Sequence, residues 1–202
     1  MKLRILVTYC TNAGSTTEVA ACVSEALGAD GLEVELRSLE QVEDVSDYHG
    51  VVLGAPLILG WHRKARSFLR RQRSALANMP VALFLTGLRL TDTNTSDANG
   101  IPIHVDQRMI NSPQGPQRLS FKEKHTTITS YLQPVLKAAR QVKPVSIGFF
   151  AGKLDYTRLR VLQMLFVMLV IGARPGDKRD WDAIRNWAVG LQPLFIKTKE
   201  QI

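Results

Sequence analysis

The sequence predicts an α/β chain built on a doubly wound parallel sheet with helices on both faces, and three observations carry that prediction. Five β-rich apolar runs recur along the 202 residues: LRILVTY, LEVELRSL, GVVLGAPL, PVALFLTGL and PVSIGFFAG. Those around Ile5, Val51 and Val81 are almost continuously hydrophobic, the pattern of strands buried on both faces. Helical periodicity separates the runs, and a β-α-β-α-β alternation implies right-handed crossovers within one sheet.

Each helix follows from its apolar stripe. Residues 16–27 place small or apolar side chains at Val19, Ala20, Val23 and Leu27, and the next helix does so at Ala65, Phe68, Leu69 and Leu76. A third helix is predicted over residues 127–140. The last covers residues 180–195, where Trp181, Ile184, Trp187, Ala188 and Leu191 share a face. Two segments fall outside the alternation. Residues 91–121 are rich in Asn, Asp, Ser, Pro and Gly and read as an irregular excursion. Residues 153–179 form a basic and apolar insertion between the last strand and the last helix. The expected organisation is one domain over residues 1–202.

Composition narrows the class. A 45% hydrophobic, 22% charged chain is ordinary globular material, and two cysteines make neither a disulfide framework nor a metal site. A reducing, cytoplasmic setting is expected. The opening MKLRILVTYC lacks a cleavage site of small residues and reads as a first strand, not a signal peptide. The net charge of +8 is unevenly spread: residues 1–50 hold nine acids against three bases, and the remainder holds 23 bases against nine acids. The later two-thirds of the chain is therefore expected to face an anionic partner or a solvated surface.

The stretch TYCTNAGSTTE, where the first strand gives way to a helix, is dense in short hydrogen-bonding side chains and has no lysine. A helix beginning near Gly14 presents unpaired amides and a positive dipole end, to which Thr11, Asn12, Ser15 and Thr16 add donors. Such a loop suits a phosphate, or is simply a well-capped helix. It lacks the GxxxxGK[ST] of a P-loop and the GxGxxG of a dinucleotide site, so a lysine-free cradle fits a phosphate monoester best. No GxSxG elbow or HExxH supports a hydrolase.

The T-x-x-G-x-T pattern after the first strand, carried by Thr11, Gly14 and Thr16, resembles that of flavodoxins. The ordered set CTNAGSTTEVA, VVLGAPLILGWHRKA, FFAGKLDY and DWDAIRNWA is similar, more narrowly, to flavodoxin-like protoporphyrinogen IX dehydrogenases that reduce quinone. The resemblance implies five strands in the order 2-1-3-4-5 and FMN as cofactor. It implies a phosphate cradle of Cys10, Thr11, Asn12, Ala13, Gly14, Ser15 and Thr16. Around the flavin ring it implies Ala55, Pro56, Leu57, Gly60 and Trp61, with Thr86, Gly87 and Leu88 on a second loop. Cys10 stands where a hydroxyl residue is common in the family. Trp61 reads equally as a ring neighbour or as an aromatic plug at a helix start. His62 is the candidate base, set against an ordinary packing role, while His49, His104 and His125 suggest less.

Two basic features remain. WHRKARSFLRRQRSAL turns Arg63, Lys64, Arg66, Arg70, Arg71 and Arg73 outward, toward solvent, anionic lipid or an acidic substrate; nucleic acid is not favoured, since interleaved aromatics are lacking. Residues 159–171 are almost wholly apolar, with Met164 and Met168 suiting an adaptable surface, and are too short to span a bilayer. With Arg158, Arg160, Arg174, Lys178 and Arg179 as flanking anchors, they read as a docking element at the inner face of the cell membrane, a core helix or a homodimer contact. The expected activity is FMN-dependent transfer of electrons from a porphyrinogen-like, apolar and acidic substrate to quinone. The alternative is a flavodoxin-like carrier that docks to redox partners without substrate chemistry.

Overall fold

The computed structural model describes residues 2–29, 31–57, 60–91, 97–98, 100–111, 121–124, 126–155 and 175–197. Four strands, β1 (Arg4–Tyr9), β3 (Gly50–Pro56), β4 (Val81–Gly87) and β9 (Pro144–Ala151), form the buried centre of a parallel sheet, with β2 (Glu33–Ser38) beside β1. Side chains alternate between two cores. Leu6, Leu53, Leu83 and Phe149 face one, while Ile5, Val7, Val52, Ala82, Phe84 and Phe150 face the other. This alternation explains the unbroken apolar runs, because every position meets a covering layer.

Helices α1 (Ser15–Gly28) and α6 (Trp181–Lys197) cover one face through Val19, Val23, Leu27, Ile184, Trp187 and Leu191. Within that layer the buried Trp187 indole donates from Nε1 to Ser146 Oγ at 2.9 Å. Helices α2 (Arg63–Arg71), α3 (Arg73–Leu76) and α5 (Ile128–Ala138) cover the other through Ala65, Phe68, Leu69, Leu76, Tyr131, Leu132 and Val135. The long basic helix of the prediction is therefore two pieces. Gln72, buried between them, donates to the Glu43 carbonyl at 2.5 Å.

The fold class is the expected one, with a difference at the sheet edge. The order is β2-β1-β3-β4-β9-β7-β6, so the fifth predicted strand is internal. Its neighbour β7 (Ile101–Val105), parallel to β9, and the short antiparallel β6 (Asp97–Ala98) come from the stretch predicted to be irregular. Pro102 and the half-buried alternation of IPIHV explain the missed prediction, since both read as loop composition; Pro102 lies just outside the register with β9, which covers Ile103, His104 and Val105. The same stretch also holds β5 (Leu90–Thr91), β8 (Ile110–Asn111) and the start of the short α4 (Phe121–Lys124). Farther on, β10 (Lys153–Leu154) pairs with β11 (Gly176–Asp177).

The apolar run over residues 159–171, with Arg158, Arg160 and Arg174, lies outside the described residues, as does His125. Among the described residues no helix is long and apolar enough to cross a membrane. Arg179, expected as an interfacial anchor, is instead buried, because it pairs with carboxylates far apart in sequence. Its side chain is 3% exposed, bonded to Glu18 of α1 at 2.8 Å and to Asp177, and stacked 4.4 Å from the Trp181 ring centre.

Replacing Arg179 with leucine is expected to cost about 2 kcal/mol at neutral pH, below the usual figure for a broken buried pair because the carboxylates stay half exposed. Hydrogen bonds from Arg179 hold the Asp177 carboxyl below its ordinary value. The corresponding stability is full above the unfolded carboxylate range, about pH 4, and is lost as pH falls through the lower folded value. Urea unfolding at pH 7 and pH 3 should show the gap between wild type and variant narrowing in acid. An equal gap at both values would remove the ion pair as its cause.

Candidate functional site

Because β1, β3, β4 and β9 run parallel, their carboxyl ends meet at one end of the sheet, where an open α/β fold gathers its ligand loops. The first loop, residues 10–14, turns on Gly14, whose φ of 85° and ψ of −15° lie in the left-handed region that a Cβ disfavours. The Gly14 N–H donates to Thr11 Oγ1 at 2.9 Å, and the Gly14 carbonyl accepts from the Thr17 and Glu18 amides at 3.1 and 3.4 Å. Helix α1 has no side-chain cap. Among the described residues the amides of Asn12, Ala13, Ser15 and Thr16 have no acceptor. This is a set of donors at the positive end of a 14-residue helix.

The hydroxyls divide into two kinds. Thr11 Oγ1 accepts from Gly14, and Ser15 Oγ accepts from the Lys153 amide at 2.9 Å. A hydroxyl that accepts an N–H still has its own proton to give, so both remain donors for an anion. Thr16 differs: its side chain is buried, and its hydroxyl lies 2.9 Å from that of Thr86 at the end of β4. That pair ties α1 to β4, so of the two Thr16 donors expected in the cradle only the amide is open.

Cys10 and His62 form a second tie. Lys64 N–H donates to His62 Nδ1 at 3.3 Å, capping α2, and the Cys10 thiol sits 3.3 Å from the same nitrogen. With Nδ1 accepting, the Nε2–H is left to donate to Asn12 Oδ1 at 3.2 Å. Burial, then the nearby Lys64 and Arg66, lowers the His62 pKa against an opposing pull from Glu40. Burial, then Glu40, pushes the Cys10 thiol up to about 11. A neutral thiol beside a neutral imidazole is no activated nucleophile. The pair instead pins Asn12 and the first loop to the start of α2.

The second loop follows β3. Ala55 is buried, Pro56 and Leu57 are half-buried, and the Leu57 amide donates to the Thr86 carbonyl at 2.7 Å. Gly60 has a φ of 105°, and Trp61 bridges back to Leu57. Trp61 is 2% exposed within the core cluster, and among the described residues its Nε1 has no hydrogen-bond partner. Its burial agrees with the plug rather than with a ring open to the mouth. On the third loop Gly87 is buried and Leu88 half-buried.

Sequence reasoning left out the loop after β9. The Gly152 amide donates to the Gly87 carbonyl at 2.7 Å, and a Cβ on Gly152 would lie 3.4 Å from that oxygen and 3.7 Å from Ser15 Oγ. The glycine directly after the apolar run PVSIGFFA was the available signal. Asp106 is also buried here, accepting from the Ala151 amide at 3.0 Å and the Arg108 amide at 2.8 Å. It fixes β7 to the end of β9.

The sheet order and the glycine-turned loop after β1 define a flavodoxin-like α/β fold. A family model described as flavodoxin domain matches residues 6–180, and the chain belongs to that family. It is 21% identical over 208 residues to protoporphyrinogen IX dehydrogenase (quinone) of Escherichia coli K12, covering 96% of this chain and 98% of that protein. Among solved structures it resembles an archaeal flavodoxin, with a TM-score of 0.52, 10% identity and coverage of 96% of this chain and 99% of that one. It also resembles rubredoxin oxygen:oxidoreductase of Desulfovibrio gigas, with a TM-score of 0.50, 12% identity and coverage of 98% of this chain but 37% of that one.

Proposed function

We propose that this chain is an FMN-dependent oxidoreductase that takes electrons from an apolar, acidic organic substrate of the porphyrinogen kind and delivers them to quinone. One observation carries the cofactor: four amides without an acceptor among the described residues and two hydroxyls with protons to give surround a loop that has no lysine. That donor set fits a phosphate monoester. The amides of Asn12, Ala13, Ser15 and Thr16 and the hydroxyls of Thr11 and Ser15 would hold the phosphate. Ala55, Pro56, Leu57, Gly60, Thr86, Gly87 and Leu88 are the candidates to line the ring.

FMN, when bound, supplies the electron-transfer chemistry, and the chain supplies position and electrostatics. The Thr16–Thr86 and Cys10–His62–Asn12 ties hold three strand ends in fixed relation, so the donors are set before binding. His62 is then a positioning residue. The substrate class rests on the relative that matches nearly end to end.

Purified protein supplemented with FMN should turn yellow, with a flavin absorption spectrum that survives gel filtration. A colourless product would remove the redox reading. With flavin loaded, anaerobic turnover of protoporphyrinogen with menaquinone is expected. Exchange with a protein donor but no porphyrinogen turnover would replace the enzyme with the carrier.

A further inference from the structure

A second site for an anion lies on the helical layer, away from the strand ends. Helices α2 and α5 pack on the same face of the sheet and leave between them a cleft of about 560 Å³. It is lined by Arg66, Arg70, Gln133, Pro134, Lys137, Ala138 and Arg140. Arg66 and Arg70 are one turn apart on α2, as are Gln133 and Lys137 on α5, so two rows face each other across the gap. Among the described residues, four cations and no carboxylate line it.

An ordinary basic surface pairs or disperses its charges. Lys64, next to this row, does so with Glu40 at 2.7 Å. Among the described residues, Arg66, Arg70, Lys137 and Arg140 have no carboxylate partner. The helix dipole accounts for part of this, since Arg70, Lys137 and Arg140 sit near helix carboxyl ends. It does not account for Arg66, near the amino end of α2, where a cation is disfavoured. Moreover, Arg66 Nε is shut off from solvent without a hydrogen-bond partner among the described residues. Like charges gathered with an unused donor are costly unless an anion relieves them.

We propose that the α2–α5 cleft binds a small multivalent anion through clustered phosphoryl oxygens, with Arg66, Arg70 and Arg140 as forked donors and Lys137 as a point charge. Guanidinium forks match phosphoryl oxygens two at a time, and the volume lies in the range of small-ligand sites. The source of the phosphoryl group is a soluble compound or a lipid headgroup.

The test is calorimetric titration of the full chain with inorganic pyrophosphate, beside flotation with phosphatidylglycerol and phosphatidylcholine vesicles. Arg70→Gln/Arg140→Gln, both exposed positions, should weaken binding about a hundredfold, roughly tenfold for each charged contact. Arg63→Gln/Arg73→Gln removes the same charge outside the cleft and should change binding less than threefold. The cleft variant should also unfold at a temperature no lower than wild type without ligand, since it relieves repulsion. Pyrophosphate binding assigns a soluble source, and binding to phosphatidylglycerol vesicles alone assigns a headgroup. Binding to neither, equal loss in both variants, or citrate competing as well as pyrophosphate overturns the proposal.

Discussion

Replacing Thr11 and Ser15 together with alanine is expected to weaken FMN binding by about a hundredfold while changing riboflavin binding less than about threefold. Both hydroxyls already accept an amide from their own chain, Gly14 in one case and Lys153 in the other, which leaves their protons available to an anion. Hydrogen bonds to a charged group each contribute about 1.5–3 kcal/mol, so the loss of two is large even when the pair is not additive. Riboflavin lacks the phosphate and reports on the ring loops alone. Titration of flavin fluorescence measures both affinities. Ser15→Ala alone keeps the Thr11–Gly14 turn and should retain part of the discrimination. If the double variant prefers FMN over riboflavin as strongly as wild type does, the phosphate is held elsewhere.

Thr16→Val is the informative contrast, because its hydroxyl is turned toward Thr86. It should lower the unfolding midpoint and leave the ratio of FMN to riboflavin affinity close to that of wild type. From sequence, Thr16 looked like one more donor among several. Its distinct place depends on the approach of β4, which no local pattern encodes.

That contrast marks where sequence reasoning stops. The central strands were legible because two-sided burial leaves an unbroken apolar record in Ile5, Val51 and Val81 and their neighbours. The first loop was legible because a left-handed turn at the start of a helix leaves a glycine among hydroxyl residues. Strand β7 was not, since a strand with a proline and half-exposed alternation looks like loop composition. Nor was the burial of Arg179, whose partner Glu18 lies 161 positions away. A charged residue at the end of a basic run reads as surface until its partner is known. Gly152 stood in plain view after an apolar run, yet its role depends on Ser15 and Gly87 arriving beside it.

Gly54→Val is expected to destabilise the chain by about 3 kcal/mol or more, at the upper end of the usual cost of overpacking a core. A Cβ at residue 54 would lie 1.9 Å from Phe84 Cζ and within 2.4 Å of both neighbouring ring carbons. The ring has no room to retreat. Phe84 is fully buried, 6.4 Å centre to centre from Phe150, and edge-on to Trp187 at 6.2 Å. Relief must come from the backbone, and there stability meets function. The Gly54 carbonyl accepts the Cys10 amide at 3.1 Å, so a displaced β3 carries the root of the first loop with it. The variant should therefore lose FMN affinity as well as stability. Trimming the ring with Phe84→Leu in the Gly54→Ala background should recover part of both, a favourable coupling that two independent lesions would lack. Urea midpoints of the single and double variants measure it. A Gly54→Ala protein with an unchanged midpoint would mean that the aromatic cluster yields, and that Gly54 is not what brings β3 and β4 into register.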